Sequence, residues 1–496
     1  MIKRVVISAL AGALMVVSTG CADECVDPFD CLNDEGAPAQ GREWACVDNK
    51  CEQRDIQPPS GDDAGTETDA GTDAGTETDA GTDAGTETDA GTDAGTMTVD
   101  KGGACTASAE CMAGLRCEGA AGARTCQPLH IAVTASLNNG AGPIEAVAVL
   151  AESGATAIEL SEGAGPSRFP RWNTDGTAVS FVEEETAGAP ALVSRAIPPV
   201  AGQKTPLTTA GTAGTEDFRH LEWEPSSSVT WVKKAGTSIS GIYAIPSAGG
   251  AVEELSPNGG FPSWKNAQTF AFSAKGVGLQ TRTIGGAAQA VTGGETGEQP
   301  KYNRVNDFLL YLASTESDTF SGGEQQPLYE LFTLPATGAT ATQPASPIAR
   351  RSEPTPVTTG EVKSFITAHT WSPDGTYVTY VRAFYYDPTL PTAPAIICGN
   401  TGAECGTQAG PNVYLQRTNP ENGQAVGDPI LVATNATLPA VSPDGHFVAY
   451  IQGQRLYMRR INPTDWSLGE PAVLTPATMR VQTNLGDDHR PRWQPR

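Results

Sequence analysis

The sequence HTWSPDG occupies residues 369–375, and variants of it recur through the C-terminal part of the chain. The two other clear copies read PRWNTDG at 170–176 and PAVSPDG at 439–445. Each clear copy joins a bulky residue to an Asp-Gly pair, which tolerates positive φ angles and reverses the chain tightly. The recurrence predicts a repeat protein with one tight turn in each unit. Weaker copies have an aromatic residue at the same place and centre on Trp223, Trp264, Tyr302 and Trp493.

An alternating run follows the turn, for example VTYV at 378–381 and VAYI at 448–451. β-Branched and aromatic residues at a period of two indicate half-buried strands. Two further runs complete each unit, so that every unit supplies four strands. Four-strand units at a fixed period predict an all-β fold, the β-propeller, in which each blade buries its faces against its neighbours.

The two ends of the repeat array set the expected number of blades. Trp493 opens a unit that has no strands after it, and residues 130–161 contain the three missing runs. The prediction is therefore a seven-bladed propeller, with six complete blades and a seventh assembled from both ends. Such a closed ring leaves no free end to fray. The alternative is a six-bladed propeller with residues 130–161 packed elsewhere.

The Pro-x-Trp-Ser-Pro-Asp-Gly pattern, followed by a strand, a tyrosine-containing strand and Leu-Thr, resembles the WD-repeat-like propeller of the TolB C-terminal domain family. The resemblance covers residues 129–496. It implies the propeller fold and leaves the function open, because propellers serve many unrelated tasks. TolB itself has six blades and a separate N-terminal α/β domain, and this chain differs in both respects.

The first residues have the pattern of an export signal. Lys3 and Arg4 precede an apolar run at residues 5–17, and small residues lead to Cys21. This resembles a bacterial lipoprotein signal peptide at residues 1–20, in which case Cys21 is lipidated and becomes the mature N-terminus. An ordinary secretory signal is the alternative. Ala22, not aspartate, follows Cys21, so the resemblance implies an outer-membrane lipoprotein that faces the periplasm or the cell surface.

Ten cysteines besides Cys21 fall into three clusters. Four lie in a small module at residues 21–57, four in a second module at residues 101–128, and two in an insertion of the repeat array. Such short, cysteine-dense segments need disulfides to fold, which suits an oxidising compartment. No Cys-x-x-Cys spacing supports a metal site, and the pairing within each module stays open. The predicted disulfide cysteines are Cys25, Cys31, Cys46, Cys51, Cys105, Cys111, Cys117, Cys126, Cys398 and Cys405.

Residues 58–100 consist mainly of an Asp-Ala-Gly-Thr-Glu-Thr repeat, with eleven acidic residues and no basic one between Gly61 and Thr96. Such a segment has too little apolar surface to fold, and its charges repel one another, so we predict a disordered, extended linker. The whole chain has a formal net charge of −25. Because the sequence contains no basic stripe, nucleic acid is not an expected partner.

The sequence contains no Gly-x-Ser-x-Gly, His-Glu-x-x-His or phosphate-loop motif, and no cofactor is predicted. His220, His369 and His489 lie two to four residues before a motif aromatic. Equivalent positions in successive blades lie on one rim of a propeller, so these imidazoles could meet near the channel mouth and bind a metal. The alternative is that they fill hydrogen-bonding positions at the start of the first strand of a blade.

Two insertions interrupt the repeat, at residues 314–327 and 383–411. Insertions in repeat proteins map to loops on one face, often the face that binds. The second insertion contains Phe384, Tyr385 and Tyr386, aromatic residues that provide contact area for a partner. The alternative role for both insertions is to cover the edge of a blade.

Together these patterns predict an exported, lipid-anchored envelope protein that touches the membrane through its lipid anchor only. Its propeller is expected to act as a binding or scaffold platform for protein or glycan partners. The alternative is a metal-dependent lyase or hydrolase that uses the histidines near the channel mouth. The expected parts are a signal peptide at 1–20, a cysteine-rich module at 21–57, a linker at 58–100, a second module at 101–128 and a propeller at 129–496.

Overall fold

The structure is a computed structural model of the 496-residue chain. The chain divides into two compact units, Met1–Gly91 and Thr92–Arg496. In the first unit, the described residues form one antiparallel hairpin, Arg42–Val47 with Lys50–Asp55. The described residues are 42–47, 50–55, 99–138, 143–151, 157–161, 165–186, 189–200, 202–213, 216–225, 228–235, 238–319, 325–350, 362–386, 397–398, 403–404, 411–476, 479–482 and 487–496.

The second unit contains a seven-bladed β-propeller, and each blade is an antiparallel sheet whose first strand is innermost. Each of the first three blades takes its four strands consecutively from the chain. Blade 1 consists of Ser167–Trp172, Ala178–Thr186, Ala189–Ala196 and Thr205–Pro206; blade 2 of Glu216–Trp223, Ser228–Ala235, Ser238–Pro246 and Glu253–Ser256; and blade 3 of Gly259–Trp264, Thr269–Ala274, Gly278–Thr283 and Gln289–Ala290.

Blades 4 to 6 follow the same order, with longer second and third strands in blade 4 and a longer connection between the second and third strands in blade 5. Blade 4 consists of Gly297–Asn303, Phe308–Thr319, Gln325–Pro335 and Ser346–Ala349; blade 5 of Val362–Trp371, Tyr377–Tyr386, Asn412–Thr418 and Ala425–Ala433; and blade 6 of Ala436–Val441, Phe447–Gln452, Arg455–Arg460 and Ala472–Val473. A separate two-stranded pair, Ile397–Cys398 with Ala403–Glu404, lies within the blade 5 insertion.

Blade 7 joins the two ends of the propeller, as the sequence predicts. Its second, third and fourth strands are His130–Asn138, Pro143–Ala151 and Ala157–Glu159, which come from the N-terminal side of the array. Its innermost strand comes from the C-terminus and is split into Arg480–Val481 and Arg492–Trp493, both paired with His130–Asn138. The ring is therefore closed by backbone hydrogen bonds between the two ends of the array.

Apolar side chains fill the spaces between neighbouring blades, because the two faces of each sheet are too apolar to be left in water. Between blades 7 and 1, Val149 and Leu160 pack against Trp172 and Phe181, and all four are buried. On the other side of blade 7, Ile131 belongs to a cluster that extends into blades 5 and 6. Blade 7 is thus held by apolar packing on both faces in addition to its strand pairing.

Three of the motif tryptophans also link their blade to the one before it. The indole Nε1 of Trp172 donates to the carbonyl oxygen of Arg492 at 2.8 Å, and that of Trp371 donates to Lys301 at 3.1 Å. Trp493 donates in the same way to Ala440 at 3.0 Å. In all three cases the acceptor is the residue just before the motif position of the preceding blade, so the repeat in the sequence becomes a repeated contact between blades.

The Asp-Gly turn is held by its own side chains. In blade 5, Ser372 Oγ donates to Asp374 Oδ1 at 2.6 Å and accepts the backbone N–H of Tyr377 at 3.1 Å. Gly375 has a φ of 72°, a left-handed conformation that glycine adopts at no steric cost. We call the side of the propeller that carries these turns the turn face, and the opposite side, which carries the connections between second and third strands, the insertion face.

The second cysteine-rich module, residues 99–128, lies within the same compact unit as the propeller. It contains a short 3₁₀ turn, Ser108–Glu110, and a hairpin of Leu115–Glu118 with Thr125–Pro128. Disulfides join Cys105 to Cys117 and Cys111 to Cys126. Among the described residues of the whole chain, no helix is both long and apolar enough to cross a membrane.

The tryptophan contacts between blades give a testable prediction. Replacing Trp172, Trp371 or Trp493 with phenylalanine removes the indole N–H and leaves a carbonyl of the neighbouring blade without its donor. Each variant should lose about 1 kcal/mol of unfolding free energy beyond the loss from reduced side-chain volume. Chemical denaturation followed by circular dichroism measures this loss.

Trp223→Phe is the matched control for side-chain volume. Trp223 occupies the motif position of blade 2 and is 9% exposed, close to the 8% of Trp371, but its Nε1 has no hydrogen-bond partner among the described residues. Equal destabilisation by all four substitutions would show that the indole hydrogen bonds between blades contribute nothing.

Candidate functional site

The innermost strands of the six complete blades share one irregularity. Each has a break in register, after two paired residues in blades 1, 3, 4 and 6, after four in blade 2 and after six in blade 5, and a non-glycine residue with positive φ at the break. A bulge of this kind bends the strand and re-aims the side chains on either side of it. The left-handed residues are Phe169, His220, Phe261, Gln299, Ala368 and Leu438, with φ between 49° and 63°.

In blade 7 the break at this place is much larger. Val481 pairs with Ala135 and Arg492 pairs with Ala132, so two residues of the second strand lie opposite residues 482–491 of the first. Residues 483–486 lie outside the described part of the chain, and Asp487–His489 form a 3₁₀ turn. The small bulge of the other blades is thus replaced by a long excursion of the chain in blade 7.

Three consecutive residues of this excursion contact three different blades. The Asp488 carboxylate accepts the backbone N–H of His220 in blade 2 at 2.6 Å. The ring of His489 packs edge-on against Phe169 in blade 1, with ring centroids 4.8 Å apart. Arg490 Nη2 donates to the carbonyl oxygen of His369 in blade 5 at 2.9 Å.

Because blades 1, 2 and 5 stand around the ring, a segment that contacts all three lies at its centre. Asp488, His489 and Arg490 are each no more than 4% exposed. We call residues 487–490 the plug. Its position makes the central channel a packed, polar region of the protein.

The plug contains one strongly perturbed titratable group. Burial lowers the pKa of His489 to about 4, and the nearby positive charges of Arg219, Arg168 and Arg171 act in the same direction. Asp488 has the opposite effect on the pKa of His489, but it is outweighed. His489 is therefore neutral at neutral pH.

This pKa predicts a loss of stability in mild acid. A histidine that titrates near 6.5 in the unfolded chain and near 4 in the folded protein binds its proton first in the unfolded state. The contribution of His489 to the free energy of unfolding is complete above pH 6.5 and is lost as the pH falls from 6.5 to 4. It amounts to about 3 kcal/mol at most. His489→Gln should flatten the fall of unfolding free energy in this range, measured by urea denaturation at pH 7.5 and pH 4.5. An unchanged fall would contradict the assignment.

On the turn face, the cysteine-rich module holds the C-terminal residues against the propeller. Arg116 Nη1 donates to the carbonyl oxygen of Pro495 at 2.6 Å. Its Nη2 donates to the backbone carbonyl oxygen of Asp175, in the blade 1 turn, at 3.0 Å. Gln494 Nε2 donates to Glu118 of the module at 2.9 Å and to Gly176 at 2.8 Å. The residues that follow the closing strand are therefore bound on one side by the module and on the other by the turn of blade 1.

The blade 6 turn makes a direct contact with the module. Asp444 Oδ2 accepts the backbone N–H of Gly114 at 2.6 Å, and Arg496 lies 3.6 Å from the same carboxylate. Burial alone would raise the pKa of Asp444, but the hydrogen bonds from Gly114, Ser442 and His446 and the charge of Arg496 together hold it below its usual range. The ionised carboxylate is thus a docking point for the module.

A second prediction isolates this docking contact. Asp444→Asn replaces the acceptor of the Gly114 N–H and removes the charge that faces Arg496, so it should cost about 1–3 kcal/mol of unfolding free energy. Asp374→Asn is the matched control, because Asp374 occupies the same motif position but bonds to Ser372 and Thr376 within its own turn. Asp444→Asn, and not Asp374→Asn, should also speed reduction of the module's disulfides by a small thiol. Equal rates in the two variants would show that the contact does not hold the module.

The insertion face differs from the turn face in carrying long extensions of two neighbouring blades. In blade 4, Phe308–Thr319 and Gln325–Pro335 stay paired from Phe308 with Pro335 to Thr319 with Gln325. The first strand of that blade pairs only as far as Ala313. We call the part beyond it, residues 314–319 and 325–329, the ribbon.

Blade 5 continues past its third strand in a similar way. Its second strand pairs with Asn412–Thr418 only from Tyr377 to Arg382, while its pairing with the first strand continues to Tyr386 opposite Val362. Between blades 3 and 4, at the base of the ribbon, a groove of about 540 Å³ is lined by residues that include Phe261, Lys275, Glu298 and Ser314. Two extended blades and a groove therefore lie together on one face.

The three histidines of the sequence analysis do not occupy equivalent positions. His220 is the left-handed residue of the blade 2 bulge, His369 follows the left-handed Ala368 in blade 5, and His489 lies in the plug. His369 Nε2 is 2.8 Å from the carbonyl oxygen of Gln299, and His220 Nδ1 is 3.2 Å from Asp488. All three are near the centre of the ring, two of them in contact with the plug.

The described residues do not bring these histidines together as metal ligands. Within that part of the chain, the one group with three potential ligand atoms close enough for a metal is Cys105, Cys111 and Cys126. All three of these sulfurs are in disulfides. A metal site at the three histidines is a prediction that the geometry does not support.

Several other predicted site residues fall outside the described part of the chain: Cys21, Cys25, Cys31 and Cys405, together with the signal peptide and most of the linker. Cys46 and Cys51 are opposite each other in the first hairpin. Cys398 lies in the small strand pair of the blade 5 insertion. Phe384, Tyr385 and Tyr386 end the second strand of blade 5, opposite Ser364, Lys363 and Val362.

Neither the plug nor the docking of the module was predicted from the sequence. The signal for the plug is the charged run Asp487-Asp488-His489-Arg490, which lies just before the last motif copy. No local signal marks the docking of the module, because most of its contacts join residues more than 300 positions apart, such as Gly114 and Asp444.

The fold and the site define this protein as a seven-bladed propeller with a plugged channel and a disulfide-bonded module on one face. No protein-family model matches the chain, and no curated protein matches it. Solved structures that match include TolB from Acinetobacter baumannii, with 14% identity, a TM-score of 0.38 and coverage of 74% of this chain and 67% of that one. The periplasmic gluconolactonase PpgL of Pseudomonas aeruginosa matches with 12% identity, a TM-score of 0.40 and coverage of 72% and 100%. At this level of similarity, neither match indicates the task of this chain.

Proposed function

We propose that this protein is an exported, lipid-anchored envelope protein whose insertion face binds a protein or glycan partner. The observation that carries the proposal is the concentration of extensions on one face. Blades 4 and 5 are neighbours, both extend beyond the other blades there, and a groove of about 540 Å³ lies beside them. Extended loops and strand ribbons on a rigid scaffold are where repeat proteins bind.

The arrangement of the two faces supports a platform. The described part of the second unit begins at Val99 in the cysteine-rich module, and the module is bound to the turn face. A linker upstream of the module would therefore join the propeller on the turn face, away from the ribbon. The sequence supports such an anchor, through the signal pattern that ends at Cys21 and the acidic linker that follows.

The groove and ribbon have the chemistry of a polar interface. Lys275, Glu295 and Glu298 line the groove together with Phe261. Glu298 accepts a hydrogen bond from the hydroxyl of Tyr329 in the ribbon at 2.9 Å, which ties the base of the ribbon to the wall of the groove. Mixed charges around an aromatic residue suit a hydrogen-bonding partner such as a polypeptide or a glycan.

Site-specific photo-crosslinking in intact envelopes tests the proposal. A photoreactive residue at Thr319, in the ribbon, should give a discrete crosslinked adduct. The same residue at Thr342, in an exposed connection on the turn face of the same blade, should give none. Adducts from Thr342 alone, or from neither position, would contradict binding through the insertion face.

Two variants complete this experiment. Replacing residues 316–326 by Asn-Gly should abolish binding, whereas replacing the exposed residues 340–343 by Gly-Ser should leave it intact. Cys21→Ser in the parent chain tests the anchor separately, because an unlipidated protein should leave the membrane fraction. Retention of the Cys21→Ser variant in the membrane fraction would contradict lipidation at Cys21. The crosslinking experiment tests the binding face independently of this result.

A further inference from the structure

A cavity of about 320 Å³ lies at the turn-face end of the central channel. Its lining includes the motif prolines Pro373 and Pro443, Pro495 and the buried plug residue Arg490. Ligand cavities in proteins commonly measure about 300–1,000 Å³, so this one has room for a small molecule. The cavity is on the side opposite to the ribbon, so a ligand bound in it is independent of the proposed function.

The charged residues that line this cavity are mostly basic. They are Arg171 of blade 1, Arg490 of the plug, Arg492 of the closing strand and Glu222 of blade 2. Arg171 is 4% exposed and Arg490 is 2% exposed. Arginine keeps its positive charge in proteins, so a concentration of positive charge lies inside a chain whose formal net charge is −25.

The structure holds these groups in place. Arg171 Nη1 donates to the carbonyl oxygen of Pro170 at 2.9 Å, and Arg490 Nη2 donates to that of His369 at 2.9 Å. Hydrogen bonds to carbonyl oxygens orient a guanidinium group without cancelling its charge. Glu222 lies 3.9 Å from Arg171 and also 3.9 Å from Lys301, so its negative charge is shared between two cations.

Two tryptophans form apolar walls of the same cavity. Trp172 and Trp493 line it, and both indoles are fixed by hydrogen bonds to the neighbouring blades. Indole provides a large, rigid apolar surface for the body of a ligand. Oriented arginines beside aromatic walls are the combination that recognises a molecule with an anionic group and an apolar or ring-shaped body.

We propose that this cavity binds a small organic oxyanion, with the carboxylate or phosphate group toward Arg171 and Arg490 and the body of the ligand against Trp172 and Trp493. Arginine binds both kinds of oxyanion through paired, charge-assisted hydrogen bonds. Burial of the two arginines strengthens these bonds, because the field of a charge is weakly screened away from bulk water. Glu222 opposes binding and limits the affinity.

Isothermal titration with four defined probes tests the proposal on the mature chain in chloride buffer. The probes are succinate, D-glucuronate, inorganic phosphate and D-glucose, the neutral counterpart of glucuronate. At least one anion should bind saturably, and D-glucose should not bind. A response to a carboxylate alone or to phosphate alone identifies which oxyanion the site takes. The absence of saturable binding by every anion up to about 10 mM would overturn the proposal.

Substitutions of opposite sign locate the binding in this cavity. Arg490→Gln should weaken it roughly tenfold by removing a charge-assisted donor, and Glu222→Gln should strengthen it by roughly a similar factor. Arg195→Gln is the matched control: Arg195 is also buried in blade 1, at 3% exposure, but donates to Leu160 and Val200 away from the cavity. Glu222→Gln keeps the test decisive if Arg490→Gln does not fold. Unchanged affinity in both lining variants would overturn the assignment.

Discussion

The pairing of the C-terminal strand with His130–Asn138 is the interaction on which the rest of this structure depends. It joins the two ends of the repeat array into one blade and so removes the free sheet edges that an open array would expose. The plug lies between the two halves of that strand, and its position at the centre of the ring follows from the pairing on either side of it. The last three residues continue from the same strand into the contacts with the cysteine-rich module. The closing of the ring, the position of the plug and the attachment of the cysteine-rich module therefore all depend on this one strand.

The position of the C-terminal strand also makes the two faces of the propeller different. The strand ends on the turn face, and the module is bound there through Asp175, Asp444 and the C-terminal residues. The opposite face stays available to the ribbon of blade 4 and the extension of blade 5. The groove on the insertion face and the cavity on the turn face have no lining residue in common. Two separate binding regions, one for a large partner and one for a small anion, are compatible with this division.

Much of the fold could be predicted from the sequence, because the signal repeats. The motif position of every blade, the seven-blade count and the closing role of Trp493 were all expected from local spacing and are confirmed by the strand pairing. The split of the closing strand was not expected, since Arg480–Val481 is only two residues long and has no alternating pattern around it. Disulfide pairing in the second module was left open by the sequence, and the structure joins Cys105 with Cys117 and Cys111 with Cys126.

The site was less predictable than the fold for a physical reason. The three histidines each lie two to four residues before a motif aromatic, but Asp488 and Arg490 contact the backbone of two of them, His220 and His369, from positions 268 and 121 residues away. Arg171, Glu222 and Arg490 likewise meet only because the ring brings blades 1, 2 and 7 around one axis. Spacing along the chain does not predict these contacts, whereas the four-strand pattern of a blade recurs in the sequence.

Hydrogen exchange of the amides of His130–Asn138 tests the central claim most directly. If the closing strand holds the ring, these amides in the full-length protein should exchange as slowly as those of Tyr377–Tyr386 in the complete blade 5, through global unfolding alone. In a chain that ends at His489, exchange should become fast in blade 7 first and spread from there. Fast exchange of His130–Asn138 in the full-length protein, or no change on shortening the chain, would contradict the account.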